Sequence, residues 1–242
     1  MLEIRQEHIS ESADSQRAYD EIYAGEGIRQ PDSFYRWVLD LLGVERGKRL
    51  LDVACGIGVL VGLAARRGLV AHGVDLSPVA ICAACYRTHD GYFVVGDGEA
   101  LPYADETFDY VTSIGSLEHY LDMEGGTREM ARVLRDNGRA LILLPNTFAL
   151  LGNFLHVWRT GRVYIGSQPI ERTATRAEWQ DLLEANGFHV VRTLKWEREM
   201  PRSLADLRWY LHHPKHLARL MLSPFVPLNL ANCFAYLCYK VK

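Results

Sequence analysis

Between residues 48 and 146 short apolar runs rich in β-formers alternate with stretches whose apolar residues recur at helical spacing. KRLLDVA reads as a strand, and VLVGLAARRG as a helix stopped by Gly68. LVAHGVDL is a second strand, and SPVAICAACYRTHD a second helix with Ser77 as its N-cap and Pro78 at its first position. YFVVGD, FDYVTSI and RALILLPN are further strands. Between the last two, GGTREMARVLRDNG has apolar residues at 130, 133 and 134, which predicts a helix with Gly138 as its stop. Strands separated by helices require right-handed crossovers and therefore a parallel sheet. The class is α/β.

After residue 146 the alternation slackens. RAEWQDLLEANGF predicts an amphipathic helix, with Trp179, Leu182 and Leu183 on one face and Gly187 at its end. HVVRTLKW and CFAYLCYKV follow as strands, the first expected parallel to the sheet and the second antiparallel beside it. Residues 147–174 and 199–230 fit no strand-helix unit. In a doubly wound sheet, segments leaving the carboxyl ends of the strands lie over the ligand crevice, so both are expected to be lids.

Composition narrows the class of function. The chain has 242 residues, 48% of them hydrophobic and 24% charged, enough for one large domain with a substantial core. A formal net charge of -3 gives no global attraction for nucleic acid. The start, MLEIRQEHIS, lacks the apolar core of a signal peptide, and five cysteines scattered through apolar segments read as reduced thiols, which together point to the cytoplasm. Cys82 and Cys85 have C-x-x-C spacing but no second pair, so they are expected to be small buried side chains on a helix. Residues 222–239 carry no charge and reach the length of a membrane span, but Pro224, Pro227, Asn229 and Asn232 argue against one.

The chemistry starts at the turn after the first core strand, LLDVACGIGVL. A glycine-rich turn opening a helix lets a ligand approach the backbone, but Val61 stands where a dinucleotide fingerprint would have its third glycine. Asp52, at the strand end, is more selective. A carboxylate there would repel a pyrophosphate by roughly 1 to 4 kcal/mol and attract a cation. A phosphate-free cofactor bearing an ammonium and a sulfonium therefore suits the loop better than NAD. Asp75 ends the second core strand in GVDLS, where a carboxylate can accept both hydroxyl hydrogens of a ribose. Leu76 follows instead of a basic residue, which argues against a 2'-phosphate. Asp97, with Gly98 and Glu99, ends the third strand, where a carboxylate can accept from an adenine amino group.

LLDVACGIG, GVDLS, GDGEALPYADETFDYVTSIGSLEHY and REMARVLRDNGRALILLPN, in that order and spacing, resemble the class I S-adenosylmethionine-dependent methyltransferases over about residues 45 to 146. The resemblance implies a Rossmann-like sheet of seven strands, mostly parallel, with an antiparallel last strand. It implies S-adenosylmethionine as cofactor, with Asp52, Ala54, Gly56 and Gly58 at its methionine end and Asp75 and Leu76 at the ribose. Asp97, Gly98 and Glu99 would meet adenine, and Ile114 and Gly115 would face the methionine and sulfonium. Tyr19 and Tyr23, in YDEIY, would cover the cofactor from an N-terminal helix. The expected layout is a single domain over 1–242. Cap helices occupy 1–45, the cofactor-binding core 46–146 and the lids 147–174 and 199–230, with the rest of the core in 175–198 and 231–242.

Methyl transfer is an in-line displacement. Alignment supplies most of the acceleration, roughly 7 to 11 kcal/mol, and a general base is needed only if the acceptor must lose a proton. His119, in SLEHY, and His156, in the first insertion, are the candidate bases, and no metal site is expected. The second insertion mixes Arg202, Arg208, Lys215, Arg219 and three histidines with Trp209, Tyr210 and several leucines. That pattern suits a lid, a peripheral membrane contact, or an acceptor that is phosphorylated or lipid-linked. The expected activity is methylation of a small-molecule acceptor, with no nucleic-acid partner. The rivals are a catalytically silent cofactor-binding member and, further off, an NAD-linked oxidoreductase.

Overall fold

In this computed structural model, which describes every residue except 7, 8, 26, 167, 199 and 242, the alternation becomes a twisted sheet flanked by helices. The core strands are β2 (Arg49–Val53), β3 (Val70–Asp75), β4 (Tyr92–Val95), β5 (Phe108–Ile114), β6 (Leu134–Pro145), β8 (Phe188–Trp196) and β9 (Cys233–Lys240). They lie in the order β4-β3-β2-β5-β6-β9-β8. β2 to β6 are parallel, and β9 runs antiparallel between β6 and β8, as the sequence predicts. The order reverses between β2 and β5, which makes the carboxyl ends of those two strands the topological switch point.

The buried run of β6 divides by parity, because successive strand side chains point to opposite faces. Leu141 and Leu143 join Phe34, Val38 and Leu39 of α2 (Asp32–Leu42) and Leu60 of α3 (Val59–Arg66). Ala140, Ile142 and Leu144 join Met130 of α5 (Met123–Val133) and Trp179 and Leu183 of α7 (Arg176–Ala185). The sheet thus has a separate core on each face. The helix α4 (Pro78–Arg87) is capped as expected, with Ser77 Oγ accepting from the Ala80 N–H and Pro78 opening the helix.

Three expectations need correction. α5 ends at Val133, and Gly138 lies inside β6, not at a helix stop. Leu134 already pairs with Phe108 across a β-bulge, so pairing with β5 takes over where the local pattern still reads as helix. The N-terminal segment contains a strand, β1 (Leu2–Arg5), besides α1 (Ser12–Ala24) and α2. β1 pairs antiparallel with β7 (Ile170–Thr173) of the first insertion, forming a second, two-stranded sheet. Cys82 and Cys85 are exposed on α4, because the inward positions of that helix are Ala80, Ile81 and Ala84.

The first insertion also holds a π-helical turn at Leu150–Phe154 that runs into α6 (Leu155–Thr160). The second folds as α8 (Leu204–His212) and α9 (Pro214–Leu222). Residues 222–239 form short 3-10 turns and β9, and among the described residues no helix is long and apolar enough to cross a membrane.

Candidate functional site

The strand ends at the switch point open into a cavity of about 280 Å³. A larger depression of about 580 Å³ between α1 and Pro169 contains none of the candidate residues. The first cavity is lined by Tyr19, Tyr23, Asp52, Ala54, Gly56, Asp75, Leu76, Asp97, Gly98, Glu99, Ile114, Gly115 and His119. Of the candidates, only Gly58 and His156 do not line it. Gly58 is the left-handed N-cap of α3 and lies against Phe93 and Ala84, where a Cβ would collide. His156 sits on α6 with its ring edge-on to Tyr164, 5.5 Å away.

The turn after β2 is strained where the ligand would approach. Ala54 has φ 56°, rare for a residue with a side chain, and such outliers gather at functional sites. At Gly56, φ is 53° and a Cβ would lie 2.7 Å from the Tyr23 hydroxyl oxygen, so only glycine lets α1 close over the turn. Asp75 holds that turn from the next strand. Its Oδ2 accepts from the Gly56 N–H at 2.7 Å and its Oδ1 from the Ser77 N–H at 2.9 Å. Burial raises the Asp75 carboxyl above the usual range against the pull of those two donors.

Asp52 is buried at the end of β2, where Oδ1 accepts from Thr112 Oγ1 at 2.6 Å. Burial, with Asp75 as a charged neighbour, pushes its carboxyl up to about 7. A buried carboxylate whose partner is one hydroxyl has room for a cation, and an ammonium would restore its acidity. Asp97 accepts from Ser12 Oγ at 2.7 Å and the Glu99 N–H at 2.9 Å. Glu99 accepts from the N–H groups of Leu121 and Asp122. This set of acceptors fits a cofactor bearing an ammonium, a ribose and an amino-substituted base.

His119 is almost fully enclosed. Its Nδ1 donates to the Ile170 carbonyl, which leaves Nε2 as the acceptor, and burial pushes the imidazole down to about 4. It is neutral at physiological pH and a weak proton acceptor.

Beside it stands Glu118, which the sequence reading passed over. Its Oε2 is buried with no hydrogen-bond partner, and its Oε1 lies 3.7 Å from His119 Nε2, too far for a hydrogen bond. Burial pushes this carboxyl up to about 8. Leaving such an atom unpaired costs about 1 to 3 kcal/mol, so the fold keeps Glu118 here at a stability loss. Tyr35, Tyr120, Gln168, Trp196 and Cys233 also line the cavity, and the Trp196 Nε1–H is likewise unpaired. The sequence signal for Glu118 was present in SLEHY; what was missing was its burial.

Gln168, which accepts from the Tyr19 hydroxyl at 3.1 Å, brings the first insertion into the lining. No described residue of 199–230 lines the cavity. That insertion is anchored away from the cavity, through Arg202 to the exposed Asp40 and through Arg219 to the buried Glu197 and to Asn232, with its Tyr210 and Val226 buried.

Comparison with known proteins adds a name to this geometry. Residues 51–142 match the family model of the methyltransferase domain. A demethylmenaquinone methyltransferase of Beutenbergia cavernae is 36% identical over 107 residues, 44% of this chain and 45% of that protein. Norajmaline N-methyltransferase of Rauvolfia serpentina is 38% identical over 106 residues, 41% of this chain and 36% of the relative. The chain spans less than half the length of these two curated relatives. In structure, the chain is similar to one from a complex between the Haloferax volcanii Trm112 methyltransferase activator and a methyltransferase. The TM-score is 0.66 at 20% identity, covering 96% of this chain and 98% of that one, a likeness of fold. Residues 51–142 thus match the methyltransferase domain, and the seven-stranded sheet around them has the Rossmann-like fold of solved methyltransferases, for which S-adenosylmethionine is the cofactor.

Proposed function

We propose that the chain transfers a methyl group from S-adenosylmethionine to a small-molecule acceptor. The observation that carries this reading is the convergence of Asp52, the Gly56 turn and Asp75 in one cavity, with no Lys or Arg among the described lining residues. Asp52 would pair with the cofactor's ammonium, Asp75 would accept from the ribose hydroxyls, and Asp97 would accept from the adenine amino group. Tyr19 and Tyr23 would cover the cofactor, and Ile114 and Gly115 would flank its sulfur. The bound cofactor supplies an electrophilic methyl group; the protein's task is to align the acceptor and exclude water. A phosphorylated acceptor is disfavoured, because its phosphate would find carboxylates and no cation in this cavity. Calorimetry with S-adenosylhomocysteine and turnover of labelled S-adenosylmethionine across an acceptor library test the proposal. Tight binding with no turnover would favour the silent member, and stabilisation by NAD alone would favour the oxidoreductase.

A second reading concerns 199–230, which we propose contacts an anionic membrane surface. It is supported by the outward display of Leu204 at 86% exposure and Phe225 at 82%, on a segment that also carries Arg208 and Lys215. Co-sedimentation with vesicles containing phosphatidylserine should be salt-sensitive. Binding that is absent, or indifferent to salt, would sink it.

A further inference from the structure

We propose that the acceptor is an amine, held and deprotonated by Glu118; this rests on the methyltransferase reading above. Five carboxyl groups line the cavity, those of Asp52, Asp75, Asp97, Glu99 and Glu118. Asp52 has a hydroxyl donor, and Asp75, Asp97 and Glu99 each have at least one backbone N–H. The Glu118 carboxyl has its own backbone N–H, yet its Oε2 alone among these oxygens is buried with no donor. Glu118 also lies beside Gly115, on the side from which an acceptor would approach the proposed sulfur position. A Cβ built on Gly115 would lie 3.6 Å from Glu118 Oε1, and Gly115 flanks the proposed sulfur position.

The rest of the lining repeats the preference. Tyr19, Tyr23, Tyr35, Tyr120 and Trp196 surround the space, no Lys or Arg among the described residues enters it, and His119 is neutral. A cavity of aromatic faces and carboxyl groups attracts a cation and repels an anion. A protonated amine supplies the donors that Oε2 lacks. The proton then passes from the ammonium nitrogen to Glu118 Oε2, breaking N–H and forming O–H. The nitrogen keeps the electron pair, the form in which it can accept a methyl group, and the proton later leaves Glu118 for water.

Other groups bear on this transfer. His119 adjoins Glu118 on the same turn, Tyr19 faces it from α1, and Cys233 from β9. From β7, Glu171 raises its carboxyl and Arg172 donates to its backbone carbonyl. None of these offers Oε2 a donor. Since burial leaves Glu118 largely protonated at neutral pH, capture of an ammonium releases a proton to solvent, and amine affinity should climb as pH rises towards 8.

The test uses the full chain saturated with S-adenosylhomocysteine, whose own binding is measured first. Thermal shift and calorimetry are then run with benzylamine, tyramine and ethanolamine, against benzyl alcohol, benzoate and inorganic phosphate. At least one amine should raise Tm, with affinity about tenfold higher at pH 8 than at pH 6.5, and the same amine should accept label from S-adenosylmethionine. Glu118→Gln should cut amine affinity tenfold or more with S-adenosylhomocysteine affinity intact. Stabilisation by benzoate or phosphate would overturn the proposal. So would no response to any amine, or an amine response unchanged in Glu118→Gln. Failure to bind S-adenosylhomocysteine would instead overturn the methyltransferase reading itself.

Discussion

The strand-end cavity and the two insertions place their side chains by opposite rules. Around the cavity, acids and hydroxyls are turned inward and held by backbone N–H groups, while the apolar residues of the same strands are sealed in the two cores. In the insertions many large apolar side chains face outward, with Trp158 74% exposed and Leu204 and Phe225 more so, although Ile170, Tyr210 and Val226 are buried. The first arrangement costs stability and, on the reading proposed above, serves a ligand. The second costs nothing when it meets another surface. Substitutions should therefore act on different measurements in the two regions.

The largest expected loss is in the core. Leu141 is fully buried in the middle of β6, and Leu141→Ala should lower stability by about 2 to 5 kcal/mol in denaturant titration, since both neighbouring strands limit collapse around the hole. Next is Asp75. Asp75→Ala removes acceptors for two backbone donors as well as the proposed acceptor for the ribose, so affinity for S-adenosylhomocysteine should fall about a hundredfold in calorimetry. Unchanged affinity would show that the ribose is held elsewhere and would break the contrast between the regions at its strongest point.

Asp52 sharpens the contrast through pH. Burial raises its folded pKa from an ordinary 3.8 to about 7, so the unliganded fold holds this proton more tightly than the unfolded chain does. Its contribution to stability is therefore full below about 3.8 and is lost as pH rises through about 7. An ammonium bound beside it favours the ionised form, so cofactor binding should release a proton. Affinity for S-adenosylhomocysteine should climb about tenfold or more between pH 5.5 and 7.5, then level off. Asp52→Asn should flatten that profile, and calorimetry in buffers of different ionisation enthalpy should lose its proton signal.

How much of this could be read from the sequence follows the same division. β2 to β5, the Ser77 cap and the Asp52, Asp75 and Asp97 strand ends were legible, because strand parity, helix capping and acidic strand ends are local signals. Contacts between distant segments were not. β1 pairs with β7 across some 170 residues, and Leu134 enters β6 because Phe108 is there to pair with it. Glu118 and His119 are adjacent in sequence and similar in kind, but only the fold shows that one retains an unpaired oxygen while the other is bound to Ile170. The insertions announced themselves only as departures from the pattern, and so the sequence suggested a lid where 199–230 lies outside the cavity.

The smallest effect on stability is expected in that outer segment. Leu204 and Phe225 touch little of the fold, so Leu204→Ser and Phe225→Ser should each change unfolding free energy by no more than about 0.5 kcal/mol. The pair together should nevertheless weaken co-sedimentation with anionic vesicles, since each removes apolar area available to the bilayer interface. Arg208→Glu and Lys215→Glu should do the same with a shallower salt dependence, because they remove the charge term and leave the apolar one. If the serine pair instead destabilised the protein by several kcal/mol with vesicle binding unchanged, the exposed leucine and phenylalanine would belong to the fold. The outward apolar face would then have to be explained as packing, against its exposure in the structure.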